Sequence, residues 1–358
     1  MSTLKRSLYS IDRTDLVAKL KAWGYPGDQA ADFAQHIWQG VYKALITDFH
    51  QMADLPLPLR SRLSETYVIT RPEAVTEHIS ADQSTRKVLL KLADGVSIES
   101  VLLRYRERYT VCVSTQVGCA CGCDFCATGK MGFVRNLTRD EIVAQVVHFQ
   151  RALAAQQSSV SNVVFMGMGE PLLNQKETFA AIERLLDPRG LALAPSRLTL
   201  STVGIAPGIE TLAERHKRWP IKLAVSLHAA TNALRTELMP INSTYPLEQV
   251  HAALVTYTQT TGRHVLLEWV MIAGVNDTPE QAEALVTWLN GLPAHVNLIQ
   301  LNPTDAYEGE PSSPAATEAF SAVLDDHDVP HTMRQRRGGN IDAGCGQLTT
   351  RQAQLAST

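Results

Sequence analysis

The sequence has no long apolar run. None of its stretches approaches the roughly 20 consecutive apolar residues that a membrane-spanning helix requires. Residues 1–6 also lead into no apolar core of the kind that a secretion signal contains. A hydrophobic fraction of 45% over 358 residues is nevertheless enough to bury a large core. We therefore expect a globular cytoplasmic protein without a membrane anchor.

An excess of charge of either sign is also missing. The formal net charge is -3, and 19% of the residues are charged. This balance excludes a protein that coats nucleic acid or an anionic membrane through its overall charge, so a polyanion has to be bound by a local basic patch. Arg334, Arg336 and Arg337 form the clearest patch, and Lys5 and Arg6 add positive charge near the N-terminus.

Cysteine is scarce, with six residues, of which five lie between Cys112 and Cys126. This spacing is too tight for the disulfide framework of a secreted protein and favours metal or redox chemistry in a reducing compartment. Cys119, Cys123 and Cys126 form a CxxxCxxC motif. The sequence shows no further CxxC or histidine pair that would complete a four-ligand zinc site.

Three cysteine ligands favour a [4Fe-4S] cluster, because they leave one of its four irons open. The open iron can chelate the amino and carboxylate groups of S-adenosylmethionine (SAM) and deliver an electron to its sulfonium. Gly118 and Gly122 allow the positive φ angles that a tight loop needs. The motif is complete without Cys121, which we interpret as an inert small residue and not as a further ligand. A zinc-stabilised RNA-binding protein is the non-enzymatic alternative.

Hydrophobic periodicity predicts an α/β protein. Residues 1–65 show helical faces, and residues 66–104 contain a hairpin of two apolar strands, a short β-ribbon. Residues 105–329 alternate helical stretches with strands and predict a full or partial (β/α) barrel, and residues 330–358 form a basic tail. The predicted barrel strands are 162–165, 197–200, 223–226, 265–269 and 296–299.

Polar residues or glycine follow most of these predicted strands. In parallel α/β folds ligands bind at the carboxyl ends of the strands, so these residues are candidates to line one mouth. Each alone would also suit a helix cap or a turn, but as a set on one rim a bound ligand explains them better. The candidates are Gly169, Glu170, Ser201, Ser226, His228 and Asn302.

Several motifs in order resemble the RlmN/Cfr family of radical SAM RNA methyltransferases. The matching segments are 112–119, 123–129, 132–138, 165–174, 199–204, 226–229, 272–277 and 341–348. The resemblance covers nearly the whole chain and implies a radical SAM barrel with a [4Fe-4S] cluster held by Cys119, Cys123 and Cys126. It also implies SAM contacts at Gly169, Glu170, Ser201, Ser226, Leu227, His228 and Asn302.

The resemblance further implies the roles of three residues outside the motif. Cys345 would carry a methyl group taken from one SAM, and a radical made from a second SAM would activate it for addition to adenine. Glu99 would remove the proton from the adenine carbon. Cys112 would then release the protein–RNA adduct by attacking the Cys345 sulfur. A solvated strand glutamate and a buried strand cysteine are the ordinary readings of Glu99 and Cys112.

From the resemblance we expect methylation of adenine C2 in 23S rRNA and in tRNA. The nearest alternative is methylation at adenine C8, and a further one is a radical SAM enzyme acting on a protein or small molecule. We also expect a monomer that receives electrons from a donor such as flavodoxin or ferredoxin.

Overall fold

A computed structural model describes residues 5–305 and 307–350. Its strands are β1 (Arg6–Ser7), β2 (Tyr67–Val68), β3 (Glu73–Ile79), β4 (Thr85–Lys91), β5 (Ser97–Tyr105), β6 (Arg108–Cys112), β7 (Gln116–Gly118), β8 (Phe133–Asn136), β9 (Val160–Phe165), β10 (Leu198–Thr202), β11 (Lys222–Ser226), β12 (Val265–Met271), β13 (Ala294–Gln300) and β14 (His331–Met333). Its α-helices are α1 (Arg13–Ala22), α2 (Gly27–Tyr42), α3 (Leu57–Thr66), α4 (Ala127–Lys130), α5 (Arg139–Ala154), α6 (Gln175–Leu186), α7 (Ala206–Glu214), α8 (Asn232–Leu238), α9 (Leu247–Thr261), α10 (Pro279–Leu289) and α11 (Pro314–Asp326).

One ten-stranded sheet forms the centre of the fold, with the order β14-β13-β12-β11-β10-β9-β6-β5-β4-β3. Strands β6 and β9 to β14 run parallel, whereas β3, β4 and β5 join them in antiparallel pairs. Among the described residues the sheet is open, since β14 and β3 are its outer strands. The predicted α/β class is confirmed, and of the two predicted forms the barrel is the partial one.

The two faces of the barrel strands differ in character. Along β12, Leu267 and Trp269 are fully buried, and Trp269 packs against Phe320 of α11. Side chains alternate along a strand, so Glu268 points to the opposite, inner face. Val270 lies on that inner face as well and contacts the apolar cluster that includes Cys121 and Cys123. The inner face of the sheet therefore lies against the cysteine segment.

The predicted hairpin is confirmed, but it is not an isolated ribbon. Strands β4 and β5 pair across the turn, β5 pairs with β6, and β6 begins the parallel part of the sheet. Glu99, in the middle of β5, is thereby held against the barrel.

Helices α1 to α3 dock on the barrel through both apolar and polar contacts. Trp38 is fully buried, in agreement with a core position, and its indole N–H donates to Asp187 at 2.9 Å. Arg184 of α6 donates to Asp12 at 2.6 Å and lies over the Trp38 ring. None of the helices in the described part of the chain is long and apolar enough to span a membrane. The domain boundaries at 65, 104 and 329 stay predictions, and residues 1–4 and 351–358 lie outside the described residues.

Candidate active site

The predicted site residues meet at the carboxyl ends of the parallel strands. This common edge follows from the parallel order of β6 and β9 to β13. Around it lie Cys112 at the end of β6, Gly169 and Glu170 after β9, Ser201 in β10, Ser226 at the end of β11, Leu227 and His228 after it, and Asn302 after β13.

The cysteine motif occupies the loop between β7 and α4. Cys119 donates its backbone N–H to the carbonyl of Gly132 at 2.9 Å, so the loop is closed at its base by the β7–β8 hairpin. Gly118 and Gly122 have φ angles of 74° and 65°. A Cβ at Gly118 would overlap the Gly132 carbonyl oxygen. The predicted need for glycine in this loop is thus confirmed.

The three motif thiols lie close enough to repel one another as thiolates. Burial raises the pKa of Cys123, and the charges of Cys126 and Cys119 raise it further. Burial likewise raises the pKa of Cys126. A hydrogen bond donated by Cys121 is the largest cause of a lowered pKa at Cys119. Cys121 thus lies beside Cys119, and its interpretation as an inert small residue stays a prediction.

The donor set of the cysteine loop suits a four-iron cube. In residues 5–305 and 307–350, no three Cys, His, Asp or Glu side chains converge on one point as ligands of a single ion. A cube binds each thiolate at a different corner, so its ligands surround a larger space. Three neighbouring thiols beside an apolar wall match that requirement.

Glu170 and His228 are both buried, and burial shifts the pKa of each toward its uncharged form. The Glu170 carboxylate accepts from the N–H groups of Leu172 at 2.8 Å and Val203 at 2.7 Å, and burial raises its pKa to about 7. His228 has a φ of 59°, and its Nδ1 accepts from the Val270 N–H at 3.0 Å. Burial lowers the pKa of His228 to about 3, so its ring is neutral.

Leu227 and Asn302 contact protein groups in this structure. Leu227 is fully buried and donates its N–H to the Glu268 carbonyl at 3.0 Å. Asn302 donates its side-chain amide to the Cys345 carbonyl at 3.0 Å and accepts from Arg336 at 2.9 Å. Asn302 thus holds the Cys345 loop. The predicted SAM contacts of these and the other rim residues stay predictions.

The tail loop that carries Cys345 is bonded directly to the cysteine motif. The Ala127 N–H, next to Cys126, donates to the Gly346 carbonyl at 2.8 Å, and the Thr128 hydroxyl donates to the Leu348 carbonyl at 2.7 Å. Although 219 residues apart in sequence, Cys126 and Cys345 are therefore neighbours, and the Cys126 charge acts on the Cys345 thiol.

Cys345 also lies near Cys112. The Cys345 side chain reaches solvent at the mouth of the barrel, although protein surrounds most of it. Burial is the largest cause of the raised pKa of Cys345, and the charge of Glu268 raises this pKa further. Burial and then the charge of Cys345 raise the pKa of Cys112 to about 12. The structure thus brings together the two thiols that the sequence places in separate segments.

Glu99 is buried and ion-paired. It is 5% exposed, and its carboxylate lies 3.0 Å from the Lys87 ammonium. The Thr349 N–H donates to its second oxygen at 2.8 Å. Burial raises the pKa of Glu99, whereas Lys87 opposes that shift. The ordinary reading of a solvated glutamate on an exposed face does not describe this residue.

Sequence reasoning missed three charged residues of the site, namely Lys87, Arg235 and Glu268. Glu268 is 5% exposed, accepts from Asn297 at 3.0 Å and lies 3.9 Å from Arg334. A charged residue inside an apolar predicted strand was the signal that could have found it. Lys87 had a weaker signal, because it shares a strand face with Glu99 through the β4–β5 register. Arg235 lies on a short helix, and no sequence pattern marked it as a residue of the site.

Comparisons with known proteins agree with this geometry. The family model described as "Radical SAM superfamily" matches residues 113–289. A dual-specificity RNA methyltransferase RlmN of Myxococcus xanthus is 46% identical, over 97% of this chain and 95% of that protein. A probable dual-specificity RNA methyltransferase RlmN of Chloroflexus aurantiacus is 44% identical, over 97% of this chain and 93% of that protein.

A solved structure shows the same fold over nearly all of the chain. The radical SAM methyltransferase from Sphaerobacter thermophilus superposes with a TM-score of 0.92 at 41% identity, covering 97% of this chain and 100% of that one. Enzymes of the radical SAM superfamily use a [4Fe-4S] cluster and SAM, which is what the cysteine loop suits. The chain belongs to the RlmN family of radical SAM RNA methyltransferases.

Proposed function

We propose that this protein methylates carbon 2 of adenine in 23S rRNA and in tRNA through a methyl group carried on Cys345. The observation that carries the proposal is the position of Cys345, whose loop is bonded to the cysteine motif at Ala127 and whose charge acts on the nearby Cys112. A radical SAM enzyme acting on a protein or small molecule would need neither of these two thiols.

Cys119, Cys123 and Cys126 would hold the [4Fe-4S] cluster, and the rim residues Gly169, Glu170, Ser201, Ser226, Leu227, His228 and Asn302 would bind SAM. When bound, the cluster supplies the electron that splits SAM into methionine and a 5′-deoxyadenosyl radical. Such chemistry is needed because an adenine carbon between two nitrogens is not nucleophilic. Burial keeps the His228 ring neutral at this rim and favours the uncharged form of the Glu170 carboxyl.

Cys345 takes part first as a nucleophile. Its thiol loses a proton, its sulfur attacks the methyl carbon of one SAM, and S-adenosylhomocysteine leaves, so that a thioether remains on the protein. Asn302 holds the carbonyl of this residue, and Gly344 lies so close to Asn302 that a Cβ there would contact its amide nitrogen at 2.6 Å. The loop is thereby fixed in the position from which its methyl group can reach the target base.

The S-methyl group of Cys345 would lose a hydrogen atom to the 5′-deoxyadenosyl radical, its carbon would bond to the adenine carbon, and the adduct would give up one electron. Glu99 and Cys112 act after this carbon–carbon bond has formed. Glu99 accepts the proton from the ring carbon, and the Lys87 ammonium at 3.0 Å favours its carboxylate form against the effect of burial. The Cys112 thiol then loses a proton and its sulfur attacks the Cys345 sulfur, which leaves a disulfide between the two cysteines. The carbon–sulfur bond to the base breaks with its electron pair on the carbon, and this carbon takes up a proton to become the methyl group. An external reductant restores the thiols.

The basic tail supplies contacts to RNA phosphates. Arg334 and Arg336 are exposed, and Arg337 lies over the Tyr105 ring at 4.4 Å, where it donates to the Arg104 carbonyl. Because the net charge is -3, such a local patch has to provide the affinity. The target base has to leave its helix to reach the barrel mouth. We further propose a monomer in the cytoplasm that receives electrons from a flavodoxin or ferredoxin.

Two cysteine variants test the proposed chemistry. With Cys112→Ala, we expect RNA to remain covalently attached to Cys345, so that the cluster-loaded protein migrates with RNA in a denaturing gel. Cys345→Ala is the matched control and should form neither adduct nor methylated RNA. Free RNA alone in the Cys112→Ala reaction, or methylated RNA from Cys345→Ala, would contradict the assigned roles.

A further inference from the structure

Arg235 is a fully buried cation at the inner end of the site. It lies on α8, directly after the segment 226–228 that follows β11. Its relative exposure is 0%, which places it among the largest completely buried side chains of the described residues. A guanidinium in this position has lost all of its contact with water, so its charge needs compensation from protein groups.

Arg235 donates hydrogen bonds to neutral groups, and none of these bonds brings a negative charge to its guanidinium. It donates to the carbonyls of Val203, Ser226 and Leu227. It also donates to the side-chain oxygen of Asn242 at 2.8 Å. All four acceptors are neutral, and no ion pair of the described residues includes Arg235. Burial therefore lowers the pKa of Arg235 to about 10.

Helix α8, which carries Arg235, packs directly against the cysteine motif. The Asp124 N–H, next to Cys123, donates to the Leu238 carbonyl at 2.9 Å, and Leu234 and Leu238 lie in one apolar cluster with Cys121 and Cys123. The charge of Cys123 raises the pKa of Arg235 and is the one effect that opposes its burial. Cys123 is also the motif cysteine on which Arg235 acts in return. A buried cation without a carboxylate partner is destabilising unless an anion lies nearby. Three cluster-binding thiolates are the anion that this location provides.

We propose that Arg235 is the countercharge of the iron–sulfur cluster and raises its reduction potential. This inference rests on the proposed cluster at Cys119, Cys123 and Cys126. Reduction by a one-electron donor of the flavodoxin or ferredoxin class makes the cluster one unit more negative, while Arg235 keeps its protons. A fixed positive charge in a water-poor site stabilises the reduced form more than the oxidised form.

The test is a potentiometric titration of the cluster followed by electron paramagnetic resonance, with no RNA present. With Arg235→Gln, we expect the ratio of reduced to oxidised cluster at a fixed solution potential to fall about tenfold, which corresponds to about 59 mV for a one-electron couple. Asn242→Asp should shift the potential in the same direction, because it places a carboxylate on the guanidinium while keeping their hydrogen bond.

The second variant separates a loss of folding from a loss of the charge effect. If Arg235→Gln does not fold, Asn242→Asp still decides, since Arg235 stays in place. Arg184→Gln is the matched control, because Arg184 is also buried but pairs with Asp12 and lies over Trp38 of the N-terminal helices. The cluster potential of this variant should equal that of the wild type. An unchanged potential in Asn242→Asp would overturn the inference. Wild-type protein that assembles no cluster would instead contradict the proposed function itself.

Discussion

The Lys87–Glu99 pair joins a buried charge to a buried countercharge. Both residues are less than 10% exposed, and Lys87 also donates to the Asp342 carbonyl at 3.1 Å. Removing one partner of such a pair is costly, because the other charge stays buried without compensation. Lys87 therefore acts on stability, on the charge of Glu99 and on the position of the tail at once.

Replacement of Lys87 by methionine should destabilise the protein in a pH-dependent way. Burial already raises the pKa of Glu99 above its ordinary value of 4.5, and loss of the ammonium raises it further. The folded state then binds the proton more tightly than the unfolded state, so stability is lost as pH rises above about 4.5. We expect a loss of about 3–5 kcal/mol at pH 8 and a much smaller one at pH 5.

Chemical denaturation of the cluster-free protein at the two pH values measures this effect. The matched control is the double variant with Lys87→Met and Glu99→Gln, in which no carboxylate is left to ionise. Its loss of stability should be similar at pH 5 and pH 8. A Lys87→Met variant that loses equal stability at both pH values would show that Glu99 does not depend on Lys87 for its charge.

Residue types alone predicted part of this site. The spacing of Cys119, Cys123 and Cys126 predicted a cluster ligand set, since three thiols at that spacing have few other uses. Burial of Glu99 was not predictable, because β5 looks like half of an exposed hairpin until β6 and the tail cover it. Arg235 gave no signal for the same reason: an arginine on a helix is ordinarily solvated.

At the scale of elements, the β7–β8 hairpin positions the cysteine loop against the strand ends. Gln116 of β7 bonds to Asn136 of β8 at 2.8 Å and accepts from the Glu170 N–H at 2.9 Å. Gly169 precedes that N–H with a φ of 92°, and a Cβ there would overlap the Gln116 side chain and meet its backbone nitrogen at 2.8 Å. The hairpin and the end of β9 are therefore fitted closely together.

Gly169→Ala should disturb this fit beyond the cost of its backbone angle. The matched control is Gly95→Ala in the β4–β5 turn, where φ is 89° and no atom lies within 4 Å of the added Cβ. Both variants lose stability from the left-handed angle, by about 1 kcal/mol. Gly169→Ala should lose about 1–3 kcal/mol more because of overpacking. Equal unfolding free energies of the two variants in urea would contradict the close fit.

The elements with strong periodicity were predictable, and short or polar ones were not. The runs at 162–165, 223–226 and 265–269 lie inside β9, β11 and β12, because continuous β-branched stretches between helices predict buried parallel strands. β14 was missed, since His331–Met333 is short and largely exposed and joins the sheet only by pairing with β13. This segment is a strand because it pairs with β13, and its local sequence does not predict it.

On the scale of the whole molecule, the chain ends are built onto the barrel. The N-terminal helices share one continuous apolar core with the sheet, and Asp12 pairs with Arg139 and Arg184 of the barrel helices. The tail returns across the mouth and brings Cys345 to Cys112 and Cys126. Cysteines this far apart in the sequence form no local pattern. Only the family resemblance therefore predicted that these thiols lie close together.

The central claim is that this arrangement methylates carbon 2 of adenine in RNA. Mass spectrometry of the nucleosides from 23S rRNA and tRNA, compared between wild-type cells and cells lacking the protein, tests it most directly. We expect 2-methyladenosine to disappear from both RNAs in the deletion strain and to return with the wild-type protein but not with Cys345→Ala. Unchanged 2-methyladenosine, or loss of 8-methyladenosine alone, would contradict the claim.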